Sequence, residues 1–331
     1  MATTIAPPVM SPVNTLDFVK VTESAALAAS RWMGRGERDV ADGAAVERMR
    51  EALNEMSISG RIVIGEGERD EAPMLFIGEE LGRGGFEVDI AVDPVEGTNL
   101  VANGLPNSIA VMAISERGGL LNAPDTYMKK LAVGRKAAPY VHIDAAVREN
   151  LDAVANALEK PINEVTVVIL DRPRHADLIK EVRAAGARIK LISDGDVDAC
   201  IATAVDGTGV HVAMGTGGAP EGVLAAAALK CMGGGFMGRL EPRNDDEIRR
   251  AKEMGFGDIN RVLTIDDLVK SEQLVFCATG ITDGDLVRGV RFFGNHARTH
   301  SVVMHPDGTV RFIESIHRLG ARPAQSRPHH A

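Results

Sequence analysis

The chain has 331 residues, 45% of them apolar, which is enough for two domains of ordinary size with a sizeable core. Its net charge is −9 with no basic stripe, which argues against a nucleic-acid partner, and no apolar stretch approaches the roughly 20 residues that span a bilayer. Only 4% of residues are aromatic, so the core is expected to be aliphatic and Ala-rich, suited to helices layered closely on sheets. Cys200, Cys231 and Cys277 are scattered without framework spacing, which reads as reduced core thiols and a cytoplasmic location.

Ala2 to Asn14 carries prolines and no basic-then-apolar pattern, and reads as a flexible arm rather than a signal peptide or anchor. Leu16 to Met33 has helical spacing, with Gly34 where a C-terminal cap belongs. Val46, Met49, Leu53 and Met56 form the stripe of a second helix whose first turn is expected to hold Asp42, a helix cap or dipole partner on this reading alone. Two β-branched runs follow, Arg61 to Ile64 and Val88 to Val92, and each reads as a strand leading into a carboxylate-rich loop. The first loop is Gly65-Glu66-Gly67-Glu68-Arg69-Asp70-Glu71; Pro73 is then expected to open a short helix over Met74 to Leu81. The second is Asp93-Pro94-Val95-Glu96-Gly97-Thr98. Side chains at strand C-termini face the crevice where open α/β sheets bind ligands, so the two loops converge if their strands are neighbours. Like charges about 4 Å apart repel by roughly 4 kcal/mol at an effective dielectric of about 20, so such a cluster demands bound cations or raised pKa values. Neither loop contains His or Cys, and an all-oxygen donor set favours Mg²⁺ or Mn²⁺ over zinc.

Strands are expected at Ser108 to Ser115, Lys130 to Val133 and Tyr140 to Ile143, then a helix at Ala145 to Leu158. From Val165 the pattern alternates: strands Val165 to Leu170, Ala187 to Ile192 and Val210 to Met214, with helices Ala176 to Ala185, Val197 to Ala204 and Pro220 to Met232, which predicts βαβ units and a largely parallel sheet. A soft domain boundary falls near Lys160. A helix over Asn244 to Met254 is followed by strands at Leu274 to Ala278, Val290 to Phe293, Ser301 to Met304 and Val310 to Ile316. The expected fold class is α/β, an α+β first half and a βαβ second half. Arg172-Pro173-Arg174-His175 joins strand to helix and places guanidinium groups where an anion docks, or is an ordinary surface turn. Gly215-Thr216-Gly217-Gly218-Ala219-Pro220-Glu221 also joins strand to helix; it is neither a Walker A loop nor a dinucleotide fingerprint, and fits a phosphate-approach loop or a structural turn. Asp194-Gly195-Asp196 suits sugar hydroxyls or a helix cap.

Asp93-Pro94-Val95-Glu96-Gly97-Thr98 resembles the metal-binding signature of the Mg²⁺-dependent sugar phosphatases, and with Ile64-Gly65-Glu66-Gly67-Glu68 and Asp70-Glu71-Ala72-Pro73-Met74-Leu75 it resembles the class II bacterial fructose-1,6-bisphosphatases in particular. Further matching motifs are Val21-Thr-Glu-Ser-Ala-Ala-Leu27, Asp42-Gly-Ala-Ala-Val46, Asn122-Ala-Pro-Asp125, Pro173-Arg-His175, Asp194-Gly-Asp196, Gly217-Gly-Ala-Pro-Glu-Gly222 and Ala278-Thr-Gly-Ile-Thr282, spanning about Leu16 to Leu319. The resemblance implies a layered α-β-α-β-α fold, a metal-binding domain over 15–160 and a sugar-phosphate domain over 161–320; beyond it, 321–331 is Pro, Arg and His without apolar periodicity and reads as a flexible tail. It implies Asp42, Glu66, Asp93, Glu96 and Glu221 as ligands of Mg²⁺ or Mn²⁺. Thr98 would orient the attacking water, with Asp70 or Glu68 accepting its proton. Around the sugar bisphosphate it implies Glu96, Gly97, Thr98, Tyr127, Arg172, Pro173, Arg174, Asp194, Gly195, Asp196 and Gly218. One departure is Arg38, where many relatives carry Lys. The implied reaction is removal of the 1-phosphate of fructose 1,6-bisphosphate by a homodimer or homotetramer, with sedoheptulose 1,7-bisphosphate as a second substrate or a non-catalytic sugar-phosphate-binding regulator as the rival readings.

Overall fold

The computed structural model describes residues 15–67 and 74–320. The expectations for the arm at 2–14, for Glu68, Asp70 and Pro73, and for the tail at 321–331 lie outside the described residues.

The chain opens with α1 (Thr15–Ala29) and α2 (Arg38–Asn54), then β1 (Ile58–Ile64), β2 (Glu80–Leu81), β3 (Phe86–Glu96), α3 (Thr98–Asn103), β4 (Ile109–Glu116) and β5 (Tyr127–Val133). The alternating middle is α4 (Val147–Ala157), β6 (Thr166–Leu170), α5 (Ala176–Ala184), β7 (Arg188–Ile192), α6 (Asp196–Ala202), β8 (Val212–Gly218) and α7 (Ala219–Met232). There follow β9 (Gly235–Glu241), α8 (Asp245–Glu253), β10 (Leu263–Thr264), α9 (Ile265–Leu268), β11 (Leu274–Gly280), β12 (Arg291–Phe293), β13 (His296–Met304) and β14 (Val310–Arg318).

Among the described residues the strands form two sheets. The first runs β12-β13-β11-β4-β3-β1-β2 with β14 paired to β13; the second runs β10-β9-β5-β8-β6-β7. The class is α/β as expected, in five layers. Phe18, Val21, Met49 and Leu53 of α1 and α2 pack on one face of the first sheet, against Ile62, Ile90 and Met112. Val223 to Leu229 of α7 pack between the sheets, against Val63, Ala91 and Val111 on one side and Met128, Ala213 and Phe236 on the other. A helix with a sheet on each flank needs no polar face, and the run Ala225 to Ala228 is fully buried and small enough for close approach. Leu151, Val154, Ile179 and Val182 of α4 and α5 cover the outer face of the second sheet.

The structure departs from several local expectations. The second sheet is mixed: β7, β6 and β8 are parallel, but β5 is antiparallel to both β8 and β9. Met74 to Leu81 is not a helix, because the buried Glu79 carboxylate accepts the Leu75 N–H and the Arg50 guanidinium, and Leu75 sits at φ +53°. Tyr140 to Ile143 is not a strand; Pro139 sits in a 3₁₀ turn over Ala138–Tyr140 and the chain then leads into α4. The strand β9 was not expected. Nor does the division between sheets follow Lys160, since β5 joins the second sheet and β11 to β14 return to the first.

Candidate active site

Strands β1 and β3 are parallel neighbours, so both leave the first sheet in the same direction and carry Glu66 and Asp93 toward the same crevice. Two residues three apart on a regular strand point to opposite faces. In β3, however, Asp93 pairs with Val111 and Glu96 with Ile109, three steps against two. This bulge, with Pro94 inside it where a ladder donor is not needed, turns Asp93 and Glu96 to the same side. The strand therefore runs through Glu96, and the predicted carboxylate loop is the bulged end of β3 rather than a loop after it. Val95 N–H donates to Asp93 Oδ1 at 3.0 Å, fixing the first carboxylate.

Glu221 arrives from the second sheet, in the first turn of α7, where the helix dipole and backbone N–H groups favour an anion. Its carboxylate folds back over the end of β8: a Cβ on Gly218 would lie 1.9 Å from Glu221 Oε2, so a side chain at 218 would displace that carboxylate. Gly217 plays the same part for Asp196, whose Oδ2 would lie 1.9 Å from an added Cβ. The Gly-rich stretch is the end of β8 rather than a free loop, and its glycines make room for site carboxylates.

One carboxylate oxygen from each of Asp93, Glu96 and Glu221 lies within 4.8 Å of the others. These three line a cavity of about 370 Å³ together with Asp42, Glu66, Gly97, Thr98, Asp194 and Arg38. Glu221 Oε2 is buried without a hydrogen-bond partner, a costly state for a carboxylate oxygen and the mark of a position shaped for a cation. Burial and then the neighbouring Asp42 and Glu221 push Glu66 up to about 8. Burial also pushes up Asp93, Glu96, Glu221 and Asp42; in Asp42, Arg38 opposes the rise. Converging carboxylates with raised proton affinities are an arrangement that a divalent cation with an all-oxygen donor set would neutralise.

Alternatives left open by the sequence are narrowed here. Asp42 is no cap, since α2 begins at Arg38 and places Asp42 in its second turn. Thr98 is the first residue of α3 after a left-handed Gly97 at φ +84°; its hydroxyl donates to Val95 O at 3.2 Å, leaving both lone pairs free to accept. Asp194 and Asp196 make no side-chain cap for α6; Asp194 accepts from Asn99 Nδ2 at 3.0 Å and Asp196 from Lys130 Nζ at 2.7 Å.

Near the end of β8, outside the lining of that cavity, lies a group of cationic side chains. Arg174 donates twice to Thr216 O, at 3.1 and 2.6 Å, and lies over the Tyr127 ring with its Cζ 4.7 Å from the centroid. His175 sets this geometry: its Nδ1 pairs with Leu170 O at 2.7 Å while its Nε2 accepts from Thr216 N at 2.8 Å, and burial holds its pKa down so that it stays a neutral linker. Arg172 is half-buried and donates to Asp171 O, and Pro173 starts the turn that carries Arg174. Sequence reasoning missed two residues. Lys130 is only 4% exposed, and although burial acts to lower its pKa, Asp196 and Glu221 keep it raised and charged. Arg243 covers the Tyr127 ring at 4.9 Å and pairs with Glu247. For Lys130 a signal existed: in Met128-Lys129-Lys130-Leu131-Ala132, Lys130 shares the buried register with Met128 and Ala132.

Comparison with known proteins agrees with this chemistry. A family model described as bacterial fructose-1,6-bisphosphatase, glpX-encoded, matches residues 13–317. A protein named D-fructose 1,6-bisphosphatase class 2/sedoheptulose 1,7-bisphosphatase from Synechococcus sp. (strain JA-3-3Ab) is 50% identical over 94% of this chain and 97% of its own. A protein of the same name from Trichodesmium erythraeum (strain IMS101) is 48% identical over 94% of this chain and 98% of its own.

Proposed function

The chain belongs to the bacterial fructose-1,6-bisphosphatase family, and on that premise we propose that it is a phosphoric monoester hydrolase that removes the 1-phosphate of fructose 1,6-bisphosphate to give fructose 6-phosphate. The observation that carries the reading is the meeting of Asp93 and Glu96 from β3 with Glu221 from α7, within 4.8 Å, in a cavity that Asp42 and Glu66 also line.

These five carboxylates are the residues that would hold Mg²⁺ or Mn²⁺. When bound, the cation supplies positive charge to the transferring phosphoryl group and acidifies water beside it. The remaining roles belong to the chain itself. The Thr98 hydroxyl, tied to Val95 O, offers its lone pairs to orient the attacking water along the line of displacement. Glu68 and Asp70, in the segment after β1, are the proposed proton acceptors. Asp194 and Asp196, each already held on one oxygen by Asn99 or Lys130, present the other to sugar hydroxyls. Lys130 pairs with Asp196 and offsets some of the negative charge. The uncleaved phosphate docks on the guanidinium wall of Arg172 and Arg174, beside Tyr127, and binding energy gained there orients the reacting end. Glu96, Gly97 and Gly218 border the same space.

Sedoheptulose 1,7-bisphosphate is the second substrate we propose, because the names of both relatives include it and one extra carbon between the phosphates leaves the chemistry at the cleaved end unchanged. A non-catalytic regulator is disfavoured, since none of the five carboxylate positions is lost. We further propose a cytoplasmic homodimer or homotetramer; no helix among the described residues is long and apolar enough to cross a membrane, and all three cysteines are free and buried. Phosphate release from each bisphosphate, measured with added Mg²⁺ or Mn²⁺ and after verified metal removal, tests the reading. Release from neither substrate under any metal condition overturns it.

A further inference from the structure

A second cavity, of about 170 Å³, lies on the other side of Asp194 from the carboxylate site. Its walls are aliphatic, with Leu100 and Leu105 on one side and Val168, Ile192, Ala202 and Val210 on the other. The titratable groups lining it are Asp194, Asp198, Asp285 and Lys190, three acids against one base. Asp285 and Lys190 form an ion pair at the rim, where Asn107 clamps Asp285 by donating to its Oδ2 at 3.2 Å and accepting its backbone N–H at 2.9 Å. Asp198 is different. It is 1% exposed, lines the cavity, and its Oδ1 has no hydrogen-bond partner. A buried carboxylate oxygen left unpaired costs free energy that a matching donor recovers, and the walls around it reward an apolar body.

We propose that this cavity binds a small organic cation, an ammonium or amidinium group on a compact apolar frame, with its N–H donors on Asp198. We also infer that occupancy is felt at the carboxylate site, a half of the proposal that rests on the phosphatase reading. Asp194 lines both cavities and is tied to Asn99, Leu100 of α3 lines the second, and the backbone N–H of Val197 on α6 donates to Glu96 Oε1 at 3.0 Å. A ligand lodged between Leu100 and α6 presses on the two elements that carry Thr98 and hold Glu96.

The test titrates benzamidinium into the full-length, metal-loaded protein, followed by calorimetry and NMR, with acetophenone as a match in shape that lacks N–H donors. Benzamidinium is expected to bind saturably and at least about tenfold tighter than acetophenone, as a charge-assisted hydrogen bond in a buried site requires. Asp198→Asn, nearly isosteric, should weaken it about tenfold or more, whereas Lys190→Met, at the half-exposed rim, should tighten it several-fold by removing a competing cation. The two variants thus have opposite expected signs, and Lys190→Met still decides if Asp198→Asn does not fold. Equal binding of both probes, or tighter binding lost in Lys190→Met, overturns the site. Saturating benzamidinium should change kcat or KM for the bisphosphate in wild type and not in Asp198→Asn; binding without any kinetic effect overturns the coupling and leaves the site standing. A protein with no phosphatase activity would fail the kinetic arm alone, and the binding arms would still read.

Discussion

The carboxylate cavity and the polar network at the end of the second sheet reach their purpose by opposite physical routes. On the first-sheet side, Asp93 and Glu96 owe their shared direction to one bulge in one strand, and Glu66 joins them because β1 is parallel to β3. That side is local, and it is strained electrostatically, with carboxylates crowded until burial and mutual repulsion raise their proton affinity. On the second-sheet side, Arg174, His175, Tyr127, Thr216, Asp196 and Lys130 come from different strands and turns and satisfy one another through hydrogen bonds and ring contacts. One side is built to need a cation and the other to hold its charges ready. Disturbing the first should therefore abolish the chemistry, and disturbing the second should spoil the fit.

The largest expected effect is loss of the cation. Chelation, or Asp93→Asn, should lower kcat at least about a thousandfold, since a catalytic metal supplies several kcal/mol of charge stabilisation to the transition state. Full turnover in chelator, after elemental analysis shows the metal gone, would end the metal-dependent reading. Next comes Thr98→Ala, which keeps every carboxylate but removes the hydroxyl that orients water. Groups of this kind contribute about 10² to 10⁴-fold, so a folded, metal-loaded variant should lose at least about a hundredfold in kcat with KM changed much less. A variant within a few-fold of wild type returns Thr98 to being the first residue of α3 and nothing more.

The strain on the first-sheet side also has a pH signature. Glu66 has its ordinary value near 4.5 when unfolded and about 8 when folded, so the folded state holds the extra proton between those values. Its contribution to stability is fully present below about 4.5 and is lost as pH rises through 8, on the order of a few kcal/mol for the metal-free protein. The melting temperature of metal-free enzyme should thus fall from pH 5 to pH 8, and Glu66→Gln should flatten the fall. With Mg²⁺ or Mn²⁺ bound the slope should shrink, because the cation replaces the proton. A metal-free protein whose stability is flat over this range, or a Glu66→Gln variant with the wild-type slope, would show that the site is not strained.

What could be read from the sequence divides along the same line. Asp93, Glu96 and Glu66 were legible because strand ends and a short carboxylate-rich run are local features. Glu221 was legible because Pro220 marks a helix start. The helix α2 followed from the stripe of Met49 and Leu53, and α7 from the alternation of strands and helices. The pairing partner of β5 was not legible, because it depends on a strand, β9, whose alternation is interrupted by Gly238; a Cβ there would lie 2.4 Å from Met128 Sδ, so packing rather than propensity set that residue. Met74 to Leu81 was read as a helix from Pro73, but the buried Glu79 carboxylate, held by Arg50, captured the backbone donor of Leu75, and that local bond displaced the helical ladder. Lys130 and Arg243 were missed for a related reason: their partners, Asp196 and Tyr127, lie on other elements and share no motif with them.

The smallest expected effect, and the most discriminating, belongs to the second-sheet side. Arg174 is already committed to Thr216 O and to the Tyr127 ring, contacts that need no substrate, so it stands in place before a phosphate arrives. A preorganised guanidinium loses little freedom on binding, and a charge-assisted contact of this kind is worth about 1.5–3 kcal/mol. Arg174→Ala should therefore lower kcat/KM for fructose 1,6-bisphosphate about 10- to 100-fold. The same variant should act on a simple monophosphate ester, which has no second phosphate to dock, at nearly the wild-type rate. Arg174→Lys should recover only part of the loss, because an ammonium cannot donate in parallel to the carbonyl and the phosphate as a planar fork does. If both substrates lose kcat/KM equally, Arg174 serves the reacting phosphate or the fold instead, and the proposed division of labour between the two sides fails at the residue that defines it.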